Sequence, residues 1–204
     1  MAFTGFGRGA VGFYEELEVN NDRDWWRANK DRYERDVRMP LELLLEEVAA
    51  EFGDGKVFRP YRDVRFSADK TPYKLGAGAI VGNHHYVEVS AAGLRVGGGD
   101  WHPERDRLAR LRAAILDDRT GSELASIVDD LRGRQAEIAS FDAVKTAPRG
   151  VPPDHPRIDL LRMKGLAALW LHPPGAWLST AKARDRVVEG WRALRPLVRW
   201  LDTG

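Results

Sequence analysis

The segment from residue 77 to residue 97 reads AGAIVGNHHYVEVSAAGLRVG. It contains three short β-prone runs, at 77–81, 85–90 and 94–96, separated by Gly82-Asn83 and by Ala91-Ala92-Gly93. Connections this short can join antiparallel strands but not parallel ones. The segment therefore predicts two hairpins of an antiparallel sheet. Alternation along 85–90 places its two valines on one face and Glu88 on the other.

Helical periodicity precedes this sheet. Apolar residues recur at three- and four-residue steps from Trp26 to Phe52, which predicts a long amphipathic helix. Pro40 removes a backbone donor from that helix, so we expect a kink near Arg38-Met39. A shorter helix is predicted at 9–19, and Asn20-Asn21-Asp22 is expected to end it and to cap the next one.

Helices are also predicted after the sheet. The run Gly97-Gly98-Gly99-Asp100 predicts a bend, followed by helices around 108–115 and 124–131. A final helix is expected to be capped by Ser179 or Thr180, to have an apolar stripe from Val187 to Leu201, and to bend at Pro196. The sequence thus predicts an α+β fold in which one domain, residues 1–204, has an antiparallel sheet flanked by helices, with long N-terminal and C-terminal helices.

Composition narrows the class of protein. The 204 residues are 43% hydrophobic, which is enough for a real core and fits the usual size of one domain. The absence of cysteine excludes disulfides, thiolate zinc sites and a cysteine nucleophile. The first residues do not resemble a signal peptide, and the longest apolar run, 166–171, is too short to span a bilayer. We therefore expect a soluble, cytoplasmic protein without a membrane partner.

Charge is concentrated between residues 56 and 74, which read KVFRPYRDVRFSADKTPYK. This stretch carries six cations and two acids, a net charge of +4, whereas the whole chain has a net charge of +1. It can therefore hold a local positive field that the overall balance hides. Residues 61–66 are predicted to be a strand, with Arg62 on the same face as Val64 and Phe66.

The residue types in this stretch suit an anionic ligand. Arginine forks donate paired hydrogen bonds to phosphate or carboxylate, lysines add point charge, and tyrosines can stack or donate. The interpretation is a site for a small anionic ligand such as a phosphorylated compound. Its predicted binding residues are Arg59, Tyr61, Arg62, Arg65, Lys70, Lys74 and Arg149.

Two other interpretations stay open for the same residues. Arg62 and Arg65 are also expected to pair with acids such as Asp63, Asp69 and Glu88, in which case the motif is a purely structural scaffold. Cations interleaved with aromatic residues also suit a nucleic-acid surface, although the pI near 8.0 argues against that.

No spacing in the chain defines a reaction. If the protein is an enzyme, the candidate acid–base groups are Asp63, Glu88 and His102. Histidine spacing matches no metal motif, and the glycine run at 97–99 lacks the lysine and hydroxyl of a phosphate-binding loop. No metal or cofactor is therefore predicted, and the sequence predicts no oligomeric state.

Several motifs together resemble a known family. They are Asn20-Asn21-Asp22-Arg23-Asp24-Trp25-Trp26, the basic stretch 56–74, Gly97-Gly98-Gly99-Asp100-Trp101-His102-Pro103, Pro148-Arg149-Gly150, Asp154-His155-Pro156 and Lys164-Gly165. The combination is similar to the uncharacterised family called domain of unknown function 2461, over nearly the whole chain. The resemblance implies one compact α+β domain with a basic motif. It implies no reaction, cofactor or substrate.

Overall fold

The structure is a computed structural model and describes residues 2–203. Its helices are α1 (Ala10–Val19), α2 (Arg23–Tyr33), a π-helical turn (Glu34–Arg38), α3 (Met39–Phe52), α4 (Arg105–Leu116), α5 (Asp118–Gly133), α6 (Ile158–Arg162), a 3-10 turn (Ala176–Ser179), α7 (Lys182–Ala193) and α8 (Arg195–Thr203). Its strands are β1 (Gly55–Val57), β2 (Gly76–Val81), β3 (His85–Ser90), β4 (Gly93–Asp100), β5 (Glu137–Ala139) and β6 (Leu166–His172). The strands form one sheet in the order β1-β2-β3-β4-β6-β5.

The predicted α+β class and antiparallel sheet are confirmed. Strands β2 and β3 pair antiparallel from Gly76 opposite Ser90 to Val81 opposite His85. β1 pairs antiparallel with β2, and β5 pairs antiparallel with β6. β1 and β5 have only three residues each, which is too short to give a periodic pattern in the sequence.

The chain divides into two compact units, the first formed by residues up to 96 together with 171–189. In this unit Val87 and Val89 of β3 are fully buried, as the alternation along that strand predicts, and so are Ala79 and Val81 of β2. Helix α3 packs against β1 and β2, and α1 packs against β3. The second unit comprises residues 97–170 and those from 190 onward, and in it α5 packs against α8 and β5.

The long N-terminal helix is interrupted next to Pro40, near the predicted kink. The interruption is the π-helical turn Glu34–Arg38, after which the Met39 N–H donates to the carbonyl of Glu34. Pro40 lies in the first turn of α3, where its missing N–H removes a bond to the preceding turn. A wider turn therefore absorbs the irregularity and the chain stays helical.

The predicted strand at residues 61–66 is wrong. These residues form a loop, and their only strand-like pairing is one isolated antiparallel bridge between Tyr61 and Tyr73. On its two sides the Lys74 N–H donates to the Pro60 carbonyl and the Arg62 N–H donates to the Pro72 carbonyl, at 2.8 Å each. Pro60 and Pro72 have no backbone N–H to donate, so the pairing does not extend beyond these residues. The assignment of Arg62, Val64 and Phe66 to one strand face therefore does not apply.

The predicted bend at 97–100 is also wrong, because these residues complete β4. A side chain at Gly97 would place its Cβ 2.4 Å from the carbonyl oxygen of Ala168, and one at Gly99 would lie 2.2 Å from that of Leu166. Gly99 has a φ of +136°, which L side chains rarely adopt. The glycines therefore allow close strand contact within the second unit.

The last helices begin and end near the predicted positions. Leu194 separates α7 from α8, two residues before Pro196. In the second unit the Trp200 indole N–H donates to the Thr120 carbonyl at 2.9 Å. Helix α5 begins at Asp118, and the Asp117 side chain caps it by accepting the N–H groups of Arg119 and Thr120. None of the helices described within residues 2–203 has the length and apolar character needed to cross a bilayer.

Candidate functional site

The predicted binding residues in the first unit lie on residues 58–74, which we call the basic loop. It leaves β1, returns to β2 and is held at its base by the short ladder on either side of Tyr61 and Tyr73. Arg59, Tyr61 and Arg62 lie on the outgoing arm, and Lys74 lies on the returning arm opposite Pro60. Arg65 and Lys70 lie in the part of the loop between the two arms.

Arg62 holds the two arms of the loop together. Its guanidinium donates to the carboxylate of Asp69 and to the hydroxyl of Thr71. Asp69 also accepts the Thr71 N–H at 2.9 Å and the Thr71 hydroxyl at 2.8 Å. The Thr71 N–H, followed by the Arg62 guanidinium, lowers the pKa of Asp69 to about 2. Arg62 is thus occupied in loop structure.

Arg65 forms a second pair within the loop. Its Nε and Nη2 atoms donate to the two oxygens of Asp63 at 3.0 and 2.7 Å. The pKa of Asp63 is lowered, chiefly by the Arg65 side chain, then by the Arg65 N–H, with a smaller effect from the charge of Arg59. Both partners are well exposed, so the pair orients Arg65 without removing it from solvent.

Three further cations of the loop have no carboxylate within ion-pair distance in residues 2–203. The Lys70 ammonium donates to the Val64 carbonyl at 3.0 Å. The Lys74 ammonium lies 5.3 Å from the centre of the Phe58 ring, and Arg59 is exposed. Because both acids of the loop are used by Arg62 and Arg65, the charge of these three cations is uncompensated within the loop.

The aromatic residues of the loop divide into anchored and exposed rings. Tyr73 is buried and stacks on Trp26, with ring centres 4.1 Å apart and an interplanar angle of 8°. Tyr61 packs beside Tyr73 at 5.4 Å and is 50% exposed. Phe66 is 96% exposed, and the Arg65 guanidinium lies 5.9 Å from its centre.

Asn21 fixes the loop to the turn between α1 and α2. Its side-chain amide donates to the Tyr73 carbonyl and accepts the Tyr73 N–H, both at 3.0 Å. These are the two bonds that a neighbouring strand would supply. The sequence indicated this asparagine only as part of a helix-capping turn, and no local spacing predicts a partner 52 residues away.

Glu88 belongs to a separate polar cluster on β3 and β4. It accepts the Tyr86 hydroxyl at 2.7 Å and an Arg95 N–H at 3.1 Å. Burial, followed by the charge of Glu88, raises the pKa of Tyr86. The carboxylate of Glu88 is therefore held by two donors and is not paired with the arginines of the basic loop.

The two remaining predicted site residues lie in the second unit. His102 stacks on Phe141, with ring centres 4.4 Å apart, and Arg149 is exposed in a loop. Across residues 2–203, no three histidine, aspartate or glutamate side chains are grouped so that they could hold a metal ion.

Comparison with known proteins gives a single positive result. No curated protein and no solved structure matches the chain. The sequence model of the family described as conserved hypothetical protein (DUF2461) matches residues 9–200, which include α1, the basic loop and most of α8. The chain belongs to that family.

Proposed function

We propose that the basic loop binds a small anionic ligand, with phosphorylated compounds as the preferred class. The observation that supports this most strongly is the uncompensated charge of Arg59, Lys70 and Lys74 on a loop whose own acids are already paired. Cations that form no ion pair with a carboxylate keep most of their attraction for an incoming anion.

The paired arginines have different roles in this proposal. Arg62 is a positioning residue because its donors reach Asp69 and Thr71 within the loop. Arg65 uses only Nε and Nη2 on Asp63, so its Nη1 donors are left for a ligand. Tyr61 is half exposed beside the arms and is proposed as a further contact.

The other predictions about function stay predictions. Arg149 as a ligand contact, Asp63, Glu88 or His102 as acid–base groups, the single-domain organisation and the cytoplasmic location each follow from sequence alone. The scaffold interpretation gains support from the Arg62 and Arg65 pairs, but it does not use the three cations without carboxylate partners.

Calorimetric titration with inorganic pyrophosphate at low ionic strength tests the proposal. The double variant Arg59→Gln/Lys74→Gln removes two of the uncompensated charges, and we expect it to bind about tenfold more weakly or worse. The matched control is Lys30→Gln/Lys145→Gln, which removes two exposed charges outside the loop. The proposal would be refuted if the parent released no heat of binding on titration with pyrophosphate. It would also be refuted if the two double variants bound pyrophosphate equally well.

A further inference from the structure

We propose that the ligand carries a flat aromatic base beside its phosphate, and that Phe66 is the surface on which this base stacks. This inference rests on the proposed function and specifies its ligand. The shared chemistry, a base next to a phosphate, is that of a free nucleotide and of single-stranded nucleic acid.

The exposure of Phe66 is the first observation behind this proposal. Its side chain is 96% exposed, more than any other large apolar side chain in the described part of the chain. Leaving a phenyl ring in water forgoes the free energy that burial would give. Tyr61 and Phe58 on the same loop are also exposed, at 50% and 38%, so apolar surface is concentrated here and not scattered singly.

The second observation is that this part of the loop is internally bonded. The Ser67 N–H donates to the Val64 carbonyl at 3.4 Å, and the Lys70 ammonium donates to the same oxygen at 3.0 Å. Asp63 holds Arg65, whose guanidinium lies 5.9 Å from the Phe66 ring. The exposed Phe66 ring therefore lies beside the Arg65 guanidinium, on a loop segment that also carries the Lys70 ammonium.

This combination favours one class of ligand. A bare inorganic anion would use the cations and leave Phe66 in water, and an apolar partner would gain nothing from the charges. A nucleotide unit uses both, because its base stacks on an aromatic face while its phosphate meets the arginine and lysine. Stacking of this kind tolerates any base, since every base has a flat face.

Binding by three Phe66 variants tests the inference. The probes are inorganic phosphate, adenosine monophosphate and a fluorescein-labelled single-stranded oligothymidylate. Phe66→Ala is expected to weaken binding of the base-bearing probes about tenfold and to leave phosphate binding unchanged. Phe66→Leu should resemble Phe66→Ala, whereas Phe66→Trp should bind like the parent. The control Phe141→Ala removes another exposed ring and should have no effect.

The outcomes separate this inference from the proposal on which it rests. Phe66-dependent binding of the monophosphate alone identifies a free nucleotide, and binding of the oligonucleotide identifies a single strand; both support the inference. Phosphate binding together with no effect of Phe66→Ala refutes the inference and leaves anion binding standing. If none of the probes binds, both proposals fail.

Discussion

At the scale of single residues, the basic loop is organised by its two acids. Asp69 and Asp63 each take one arginine, so the arginines that the sequence indicates as ligand contacts are partly structural. The cations with no acid near them are those that the sequence does not distinguish from the others. Formal charge along the chain indicates where the loop is, but only geometry shows which charges are compensated.

The pKa of Asp69 predicts how the loop responds to acid. Its folded value is about 2, below the ordinary value of about 3.9. A depressed folded pKa contributes stability that is present above the unfolded pKa and is lost as the pH falls through the folded pKa. We therefore expect the loop to stay ordered at pH 4 and above and to loosen towards about pH 2.

Carbon-13 NMR of the aspartate carboxyl groups measures this directly. The Asp69 signal should titrate near the depressed value, and amide exchange in residues 58–74 should quicken in the same range. In Asp69→Asn, which cannot ionise, the acid-dependent change in exchange should shrink to the part that Asp63 contributes. An Asp69 signal that titrates like that of an unstructured aspartate would contradict the expectation.

At the scale of elements, the order of the basic loop depends on Asn21 in the turn between α1 and α2. Asn21→Ala leaves the N–H and carbonyl of Tyr73 without their partners in a part-buried position. We expect a loss of about 1–3 kcal/mol in the free energy of unfolding and faster proteolytic cleavage within residues 58–74. Urea denaturation and limited proteolysis measure the two effects.

The neighbouring asparagine supplies the control for this prediction. The side chain of Asn20, the residue that caps the end of α1, donates to the Glu16 carbonyl of that helix and is exposed. Asn20→Ala should therefore change the unfolding free energy by less than about 0.5 kcal/mol and leave the cleavage rate as in the parent. Equal effects of the two substitutions would show that Asn21 does not hold the loop.

Strand β4 gives a second prediction at this scale. Gly99→Ala combines an unfavourable φ of +136° with a Cβ 2.2 Å from the Leu166 carbonyl oxygen. The expected loss is about 2–4 kcal/mol in the free energy of unfolding, measured by urea denaturation. Gly12→Ala is the matched control, because nothing lies within 4 Å of the new methyl group in α1, and it should stabilise by about 0.5–1 kcal/mol. An unchanged stability of Gly99→Ala would contradict the close approach.

Prediction from sequence succeeded for elements with a clear period and failed where tertiary contacts decide. The alternation of β3 and the helical period around Leu124 and Val128 each follow from burial of one face, so these elements are where the sequence predicts them. The run 61–66 is rich in β-prone residues, yet two prolines prevent a ladder from growing around it. The glycines of β4 look flexible along the chain, but they serve close strand contact.

At the scale of the whole molecule, the distribution of charge matters more than its sum. The chain has a net charge of +1, while residues 56–74 alone have +4. The variants Arg59→Gln/Lys74→Gln and Lys30→Gln/Lys145→Gln both have a net charge of −1, which is +1 minus 2. On a cation-exchange column the loop variant should elute at lower salt than the control, because a local field governs retention. Identical elution would mean that the loop cations do not act together.

The π-helical turn before α3 has a consequence for how this protein tolerates change. The Met39 N–H bonds five residues back, so the turn contains one residue more than an ordinary helical turn, and deletion of one residue from Glu34–Arg38 would let it close regularly with α3 facing as before. Deletion of a second residue would rotate α3 by about 100°. Leu41, Leu44 and Val48 would then swing away from their apolar neighbours. The stretch can therefore lose one residue but not two, and its buried Asp36 and Val37 limit which side chains it accepts.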